Sequence, residues 1–139
     1  WKKMRTVDII AFATPIYYFE MSGQMKTMID RSNPLYTSDY AFRDIYILSA
    51  AAENEDETEE GAVNGLKGWI ACFEKARFAG SVFAGGVDKK GDIKGHDALK
   101  KAYDMGKVYK QNMIKAWGKN KFHAGNIAES SYRAAYSYR

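Results

Sequence analysis

The chain has 139 residues, enough for one domain with a modest core, and its 46% apolar and 27% charged residues are ordinary for a globular protein. The net charge of +4 and the pI near 9.0 come largely from lysines and arginines after Lys100 and are offset by an acidic run from Glu53 to Glu60; no nucleic-acid-binding motif accompanies them, so a nucleic-acid partner is not expected. No apolar run reaches the length of a membrane span, and the lone Cys72 rules out an internal disulfide and fits a reducing, cytoplasmic setting.

Position 1 is Trp rather than Met, which reads as a fragment or a trimmed product. Val7 to Ala13 is an apolar run without strict alternation, the pattern of a strand covered on both faces in a parallel sheet. Thr14-Pro15 is expected to end it, because Pro donates nothing to a ladder and biases the residue before it toward an extended conformation. Ser22 is placed to cap a helix starting at Gly23, with Met21, Met25, Met28 and Ile29 at helical spacing and Asn33-Pro34 as the stop.

Asp44 to Ala51 reads as the next strand, followed by the acidic run and a helix over about Glu59 to Ala76. Ala62, Val63, Leu66, Trp69, Ile70 and Phe73 form its apolar stripe, and acidic residues at its start complement the helix dipole. Gly61, Gly65 and Gly68 weaken this helix, and Gly65 and Gly68 are expected to let it pack closely on a sheet. Ala79 to Val87 reads as a third strand ending in Gly85-Gly86. A final helix is expected from His96-Asp97 to about Met113, with Leu99, Ala102, Tyr103, Gly106 and Met113 on one side. Three strands alternating with three helices give an α/β fold with right-handed crossovers. Such a sheet leaves an edge unpaired, so a further strand is expected beside Val7–Ala13. Residues 1–115 read as the domain and 116–139 as a weakly ordered basic tail.

The informative stretch runs from Ala13 to Arg31. It places an aromatic-rich loop at the C-terminal end of a buried strand and follows it directly with a capped helix. Ligands of open α/β sheets bind in the crevice at that end of the strands. Tyr17, Tyr18 and Phe19 offer flat apolar faces, and the backbone N–H groups of a loop without a ladder partner need acceptors. A flat heteroaromatic ring bearing carbonyl and imine acceptors meets both demands.

This block, Thr14-Pro15-Ile16-Tyr17-Tyr18 followed by Ser22-Gly23-Gln24-Met25-Lys26 and Ile29-Asp30-Arg31, resembles the second flavin loop of the flavodoxin-like NAD(P)H-dependent FMN reductases. The likeness continues with less specificity through Gly68-Trp69-Ile70, Gly85-Gly86-Val87 and Gly91-Asp92-Ile93-Lys94-Gly95-His96, covering roughly residues 4 to 112. It implies a flavodoxin-like three-layer α/β/α sandwich with a parallel sheet, here without its N-terminal strands. It implies an FMN ring held by Thr14, Pro15, Ile16, Tyr17, Tyr18 and Phe19, with Ala51 and Ala52 from the loop after the next strand. The family's phosphate site is a Ser/Thr/Gly/Asn-rich loop after its first strand, and none occurs upstream of residue 7.

The activity implied is an oxidoreductase that takes reducing equivalents from NAD(P)H through FMN to a small acceptor such as a quinone, a nitro or azo compound, or a free flavin. A homodimer is implied as well, and no catalytic side chain, because the chemistry belongs to the cofactor. Three alternatives remain at this point: a flavodoxin-like electron carrier, a non-redox interaction module, and a non-functional fragment.

Other features have plainer readings. Cys72 is expected as a half-buried structural thiol. Asp92 and His96 are four apart but straddle Gly95, which argues against a shared helix face and a metal site. The acidic run lacks the spacing of a calcium loop and reads as a solvated helix start.

Overall fold

The computed structural model describes residues 1–117, with side chains through Gln111. The chain divides into a first unit, Trp1–Leu99, and a second that begins at Lys100. In order, the described elements are α1 (Lys2–Arg5), β1 (Ile9–Tyr17), β2 (Glu20–Met21), α2 (Gly23–Asp30), β3 (Asp44–Ala50), α3 (Glu60–Ile70), β4 (Arg77–Ala84) and α4 (Asp97–Trp117), with short 3₁₀ turns at Asn33–Leu35 and Asp56–Glu59.

The sheet order is β2-β1-β3-β4. β1, β3 and β4 are parallel, pairing Phe12 with Ile47 and Pro15 with Ala50, then Ile47 with Ser81 and Ala50 with Ala84. A register shift beside Ile45 and Tyr46 takes up one extra residue of β4. β2 is antiparallel to the end of β1.

Residues paired across parallel strands share a face, so Ile10, Phe12 and Thr14 line up with Ile45, Ile47 and Ser49, and Ile16, paired with Met21, follows Thr14 on the same face of β1. Onto this face pack Met25 and Ile29 of α2 and Ala62, Leu66 and Ile70 of α3, in one continuous core. Phe42, Leu35, Ile45, Ile47 and Leu66 are sealed from solvent, each contributing on the order of 1.5–3 kcal/mol. Aromatic rings extend the core: Trp69 meets Phe12 edge-on at 5.6 Å and Phe73 at 4.7 Å, and Phe42 stacks on Tyr40 at 4.5 Å. The indole N–H of Trp69 donates to Ser32 Oγ at 2.9 Å, so the buried polar end of this ring is satisfied.

Several expectations need correction. Thr14-Pro15 does not end the first strand, which continues to Tyr17. Among the described residues β1 is bonded along one side only over Ile9–Pro15, and a strand edge is where Pro, lacking a donor, is tolerated. Met21 belongs to β2 and not to the helical stripe, and Met28 is exposed. The third helix begins in a 3₁₀ turn and ends at Ile70, not Ala76. There the chain turns through Phe73, whose N–H bonds the Ile70 carbonyl, to reach β4. β4 starts at Arg77 and stops short of Gly85-Gly86, where Gly86 takes a φ of +72°. Cys72 is exposed, not half-buried. The expected tail, 116–139, lies outside the described residues from 118 onward, while Ala116 and Trp117 close α4. Among the described residues no helix is long and apolar enough to cross a membrane.

Candidate functional site

β1 and β2 form a hairpin in which Ile16 pairs with Met21 and Tyr17 with Glu20. Only Tyr18 and Phe19 remain for the loop, with φ of +52° and +65°. Positive φ at both central residues is the type I′ geometry, which suits the twist of the flanking strands and normally recruits Asn-Gly. An aromatic residue held there costs about 1 kcal/mol or more. Burial does not offset that cost, since Tyr18 is 99% exposed, Tyr17 61% and Phe19 58%. Strained backbone beneath unburied rings points to a surface kept for a ligand.

The base of the hairpin is pinned. Buried Thr14 accepts the Ser22 N–H at 3.0 Å and donates its own hydroxyl hydrogen to the Pro15 carbonyl at 2.8 Å. Ser22 Oγ in turn accepts the Met25 N–H at 3.3 Å, which is the expected cap of α2. One hydroxyl thus ties the strand to the start of the helix and leaves the tip to project beyond both.

The loop after β3 lies at the same end of the sheet, because Pro15 pairs with Ala50. It is knitted to the end of β4: Ala51 N–H donates to the Ala84 carbonyl, Val87 N–H to Ala51 and Gly86 N–H to Glu53, at 2.8–3.1 Å. A side chain at Gly85 would stand 2.3 Å from Asn54 Oδ1 and 2.7 Å from Asn54 Cα, so the close approach of the two loops requires glycine there. His96 joins them as well. Its Nδ1 accepts the Ala98 N–H at 3.0 Å, so Nε2 carries the hydrogen and donates to the Gly85 carbonyl at 3.1 Å. The ring caps α4 and steadies the end of β4. Behind these loops Glu59 spans two strands, accepting Ser49 Oγ–H at 2.7 Å and Ser81 Oγ–H at 2.9 Å.

The predicted residues fall into two groups. Pro15, Tyr17, Tyr18, Phe19 and Ala52 are exposed at this end of the sheet. Thr14, Ile16 and Ala51 are buried, with side chains turned to the core, so each offers a ligand only its backbone. The anticipated aromatic loop is in fact the last residue of β1, Tyr17, plus a two-residue tip. Glu59 and the roles of Gly61, Gly85 and His96 were missed. The only signal was spacing, such as Gly61 and Gly65 one helical turn apart, and spacing does not reveal the neighbour. The glycines that meet the sheet are Gly61 and Gly65, which face β2, whereas Gly68 meets nothing within 4 Å.

An ion pair marks the other end of the strands. Arg77 Nε donates to Asp44 Oδ1 at 2.6 Å, and this hydrogen bond raises the guanidinium's pKa. Tyr46 is also raised, first by burial and then by the Asp44 carboxylate, with Arg77 opposing. A groove of about 710 Å³ beside α1 and α2, lined by Trp1, Met4, Thr27 and Met28 among others, includes none of the tip residues.

The model for the family described as NADPH-dependent FMN reductase matches residues 1–86, a stretch that contains the hairpin tip, the loop after β3 and the end of β4 through Gly85-Gly86. Among solved structures the chain is similar to the Trp repressor binding protein from Bacillus subtilis, with 27% sequence identity and a TM-score of 0.60 over 73% of this chain and 69% of that one. The fold is therefore the flavodoxin-like α/β fold expected from the sequence. No curated protein matches.

Proposed function

This chain belongs to the NADPH-dependent FMN reductase family, and from that premise we propose that the β1–β2 tip and the Ala51–Ala52 loop hold the isoalloxazine ring of FMN. FMN held there would make the chain an oxidoreductase with NAD(P)H as reductant and a small acceptor: a quinone, a nitro or azo compound, or a free flavin. The observation that carries the reading is the conjunction at Tyr18 and Phe19 of left-handed backbone with unburied aromatic rings.

The residues fit the group. A planar ring with carbonyl and imine acceptors suits backbone N–H groups that have no ladder partner and aromatic faces that have no core to enter. Bound FMN supplies the hydride and electron chemistry. The chain's own part is to bind and to shield. Tyr17, Tyr18 and Phe19 offer ring faces that exclude water, and the tip's backbone N–H groups donate to the flavin edge. Ala52, with its small side chain, leaves room at the end of β3. The Thr14–Ser22 bond keeps the tip fixed while the ring binds and leaves. This arrangement addresses the ring rather than the phosphate.

The test is flavin titration of the full chain, followed by fluorescence quenching, with FMN and riboflavin in parallel. Ring recognition predicts quenching by both ligands with affinities within about tenfold of each other. NADH or NADPH is then added with a quinone, and steady oxidation of the nicotinamide is expected. Bound flavin that neither nucleotide reduces would make the chain an electron carrier. Absence of quenching by either ligand would leave a non-redox module on the same fold.

A further inference from the structure

α3 has glycine at three of its eleven positions, Gly61, Gly65 and Gly68. None has a positive φ, so conformational freedom does not explain them, and each weakens the helix relative to Ala. Their surroundings differ. A Cβ at Gly61 would stand 2.3 Å from the Phe19 carbonyl oxygen and 2.9 Å from Glu20 Oε1. At Gly65 it would stand 3.2 Å from Met21 Cε, and at Gly68 it would meet nothing within 4 Å. The Glu20 carboxylate and the Met21 methyl end flexible side chains and can move. The Phe19 carbonyl is backbone in the strained tip and cannot move without changing the φ and ψ of Phe19 and Glu20.

We propose that Gly61 is a positioning residue for the hairpin tip. Its bare Cα lets the first turn of α3 abut the Phe19–Glu20 backbone. That contact, with the Thr14–Ser22 bond at the hairpin's base, holds Tyr18 and Phe19 in the left-handed region. The helix supports the tip from one side and leaves its rings exposed on the other. The consequence for flavin binding rests on the function proposed above; the consequence for the hairpin does not.

Gly61→Ala and Gly68→Ala in the full chain make a matched pair. Both replace a helical glycine by the best helix former, and only the first meets backbone. Amide hydrogen exchange of Ile16–Ser22, measured without flavin, is expected to quicken about tenfold or more in Gly61→Ala and to stay at the wild-type rate in Gly68→Ala. With FMN bound, Gly61→Ala is expected to weaken retention by about tenfold and to shift the flavin visible band and midpoint potential, while Gly68→Ala leaves all three unchanged. Wild-type exchange at the tip in Gly61→Ala overturns the proposal. Faster exchange with an unmoved flavin band and potential overturns its flavin part and leaves a purely structural contact. If the wild type retains no flavin, the functional reading fails and the exchange contrast alone decides the role of Gly61. Should Gly61→Ala not fold, Phe19→Gly is added to it, which frees the backbone that the new Cβ meets: recovery of cooperative folding supports the contact, and a double variant that still does not fold overturns it.

Discussion

Tyr18 and Phe19 occupy positions where the backbone prefers Asn and Gly, and their rings face water. A residue chosen for folding alone would be different there. Tyr18→Asn combined with Phe19→Gly is therefore expected to stabilise the chain by about 1 kcal/mol, read from urea unfolding, while flavin retention falls. A double variant that loses stability would mean that the rings contribute to the fold. At the other end of the strands Tyr46 gives a pH signature. Burial and the nearby Asp44 lift its folded pKa above the ordinary 10.0, so just above pH 10 the folded state keeps a proton that the unfolded chain has lost. Stability from this group is complete below that pH and declines as pH rises through the folded value. Tyr46→Phe is expected to flatten that part of the alkaline limb in denaturant titrations at stepped pH, and an unchanged limb would assign it to other groups.

α3 is more than a cover for the sheet. Its apolar stripe of Ala62, Leu66 and Ile70 enters the core, and just before its first turn Glu59 binds hydroxyls on two adjacent strands. Its second residue, Gly61, meets the hairpin. The start of this helix therefore aligns β3, β4 and the tip at one end of the sheet. Glu59→Ala would leave the buried Ser49 hydroxyl without its partner, a loss expected to cost about 1–3 kcal/mol. Thermal unfolding checks it, and a shift corresponding to less than about 0.5 kcal/mol would show that the clasp is replaceable by solvent. The stripe was legible in the sequence because apolar burial follows the helical period. The clasp was not, since Ser49, Glu59 and Ser81 share no period and meet only when the strands pair.

Across the first unit as a whole, α2 and α3 cover one face of the sheet, while Ala11, Ala13 and Pro15 of β1 are exposed on the other. Among the described residues β1 is bonded to β3 on one side, and on the other only its last two residues pair, with β2. Parallel strands point successive amides to alternate sides. Hydrogen exchange in the full chain is thus expected to alternate along Ile9–Thr14, slow for amides facing β3 and fast for those facing away. Uniform protection would mean that another segment or a second copy of the chain covers this edge.

The sequence by itself determined the α/β class, the run of β1, α2, β3, α3, β4 and α4, the Ser22 cap and the end of the sheet where the candidate ligand surface lies. Each of these depends on local chemistry or on hydrophobic period. Tertiary structure decided what depends on neighbours distant in the chain. Thr14-Pro15 reads locally as a stop, yet pairing with β3 continues through Pro15 and pairing with β2 carries the strand on to Tyr17. Tyr17 to Phe19 read as a loop, yet the Ile16–Met21 pair closes a two-residue turn that local preference disfavours. Gly61 reads as a weak point in a helix, and only the approach of the Phe19 carbonyl explains why no side chain stands there.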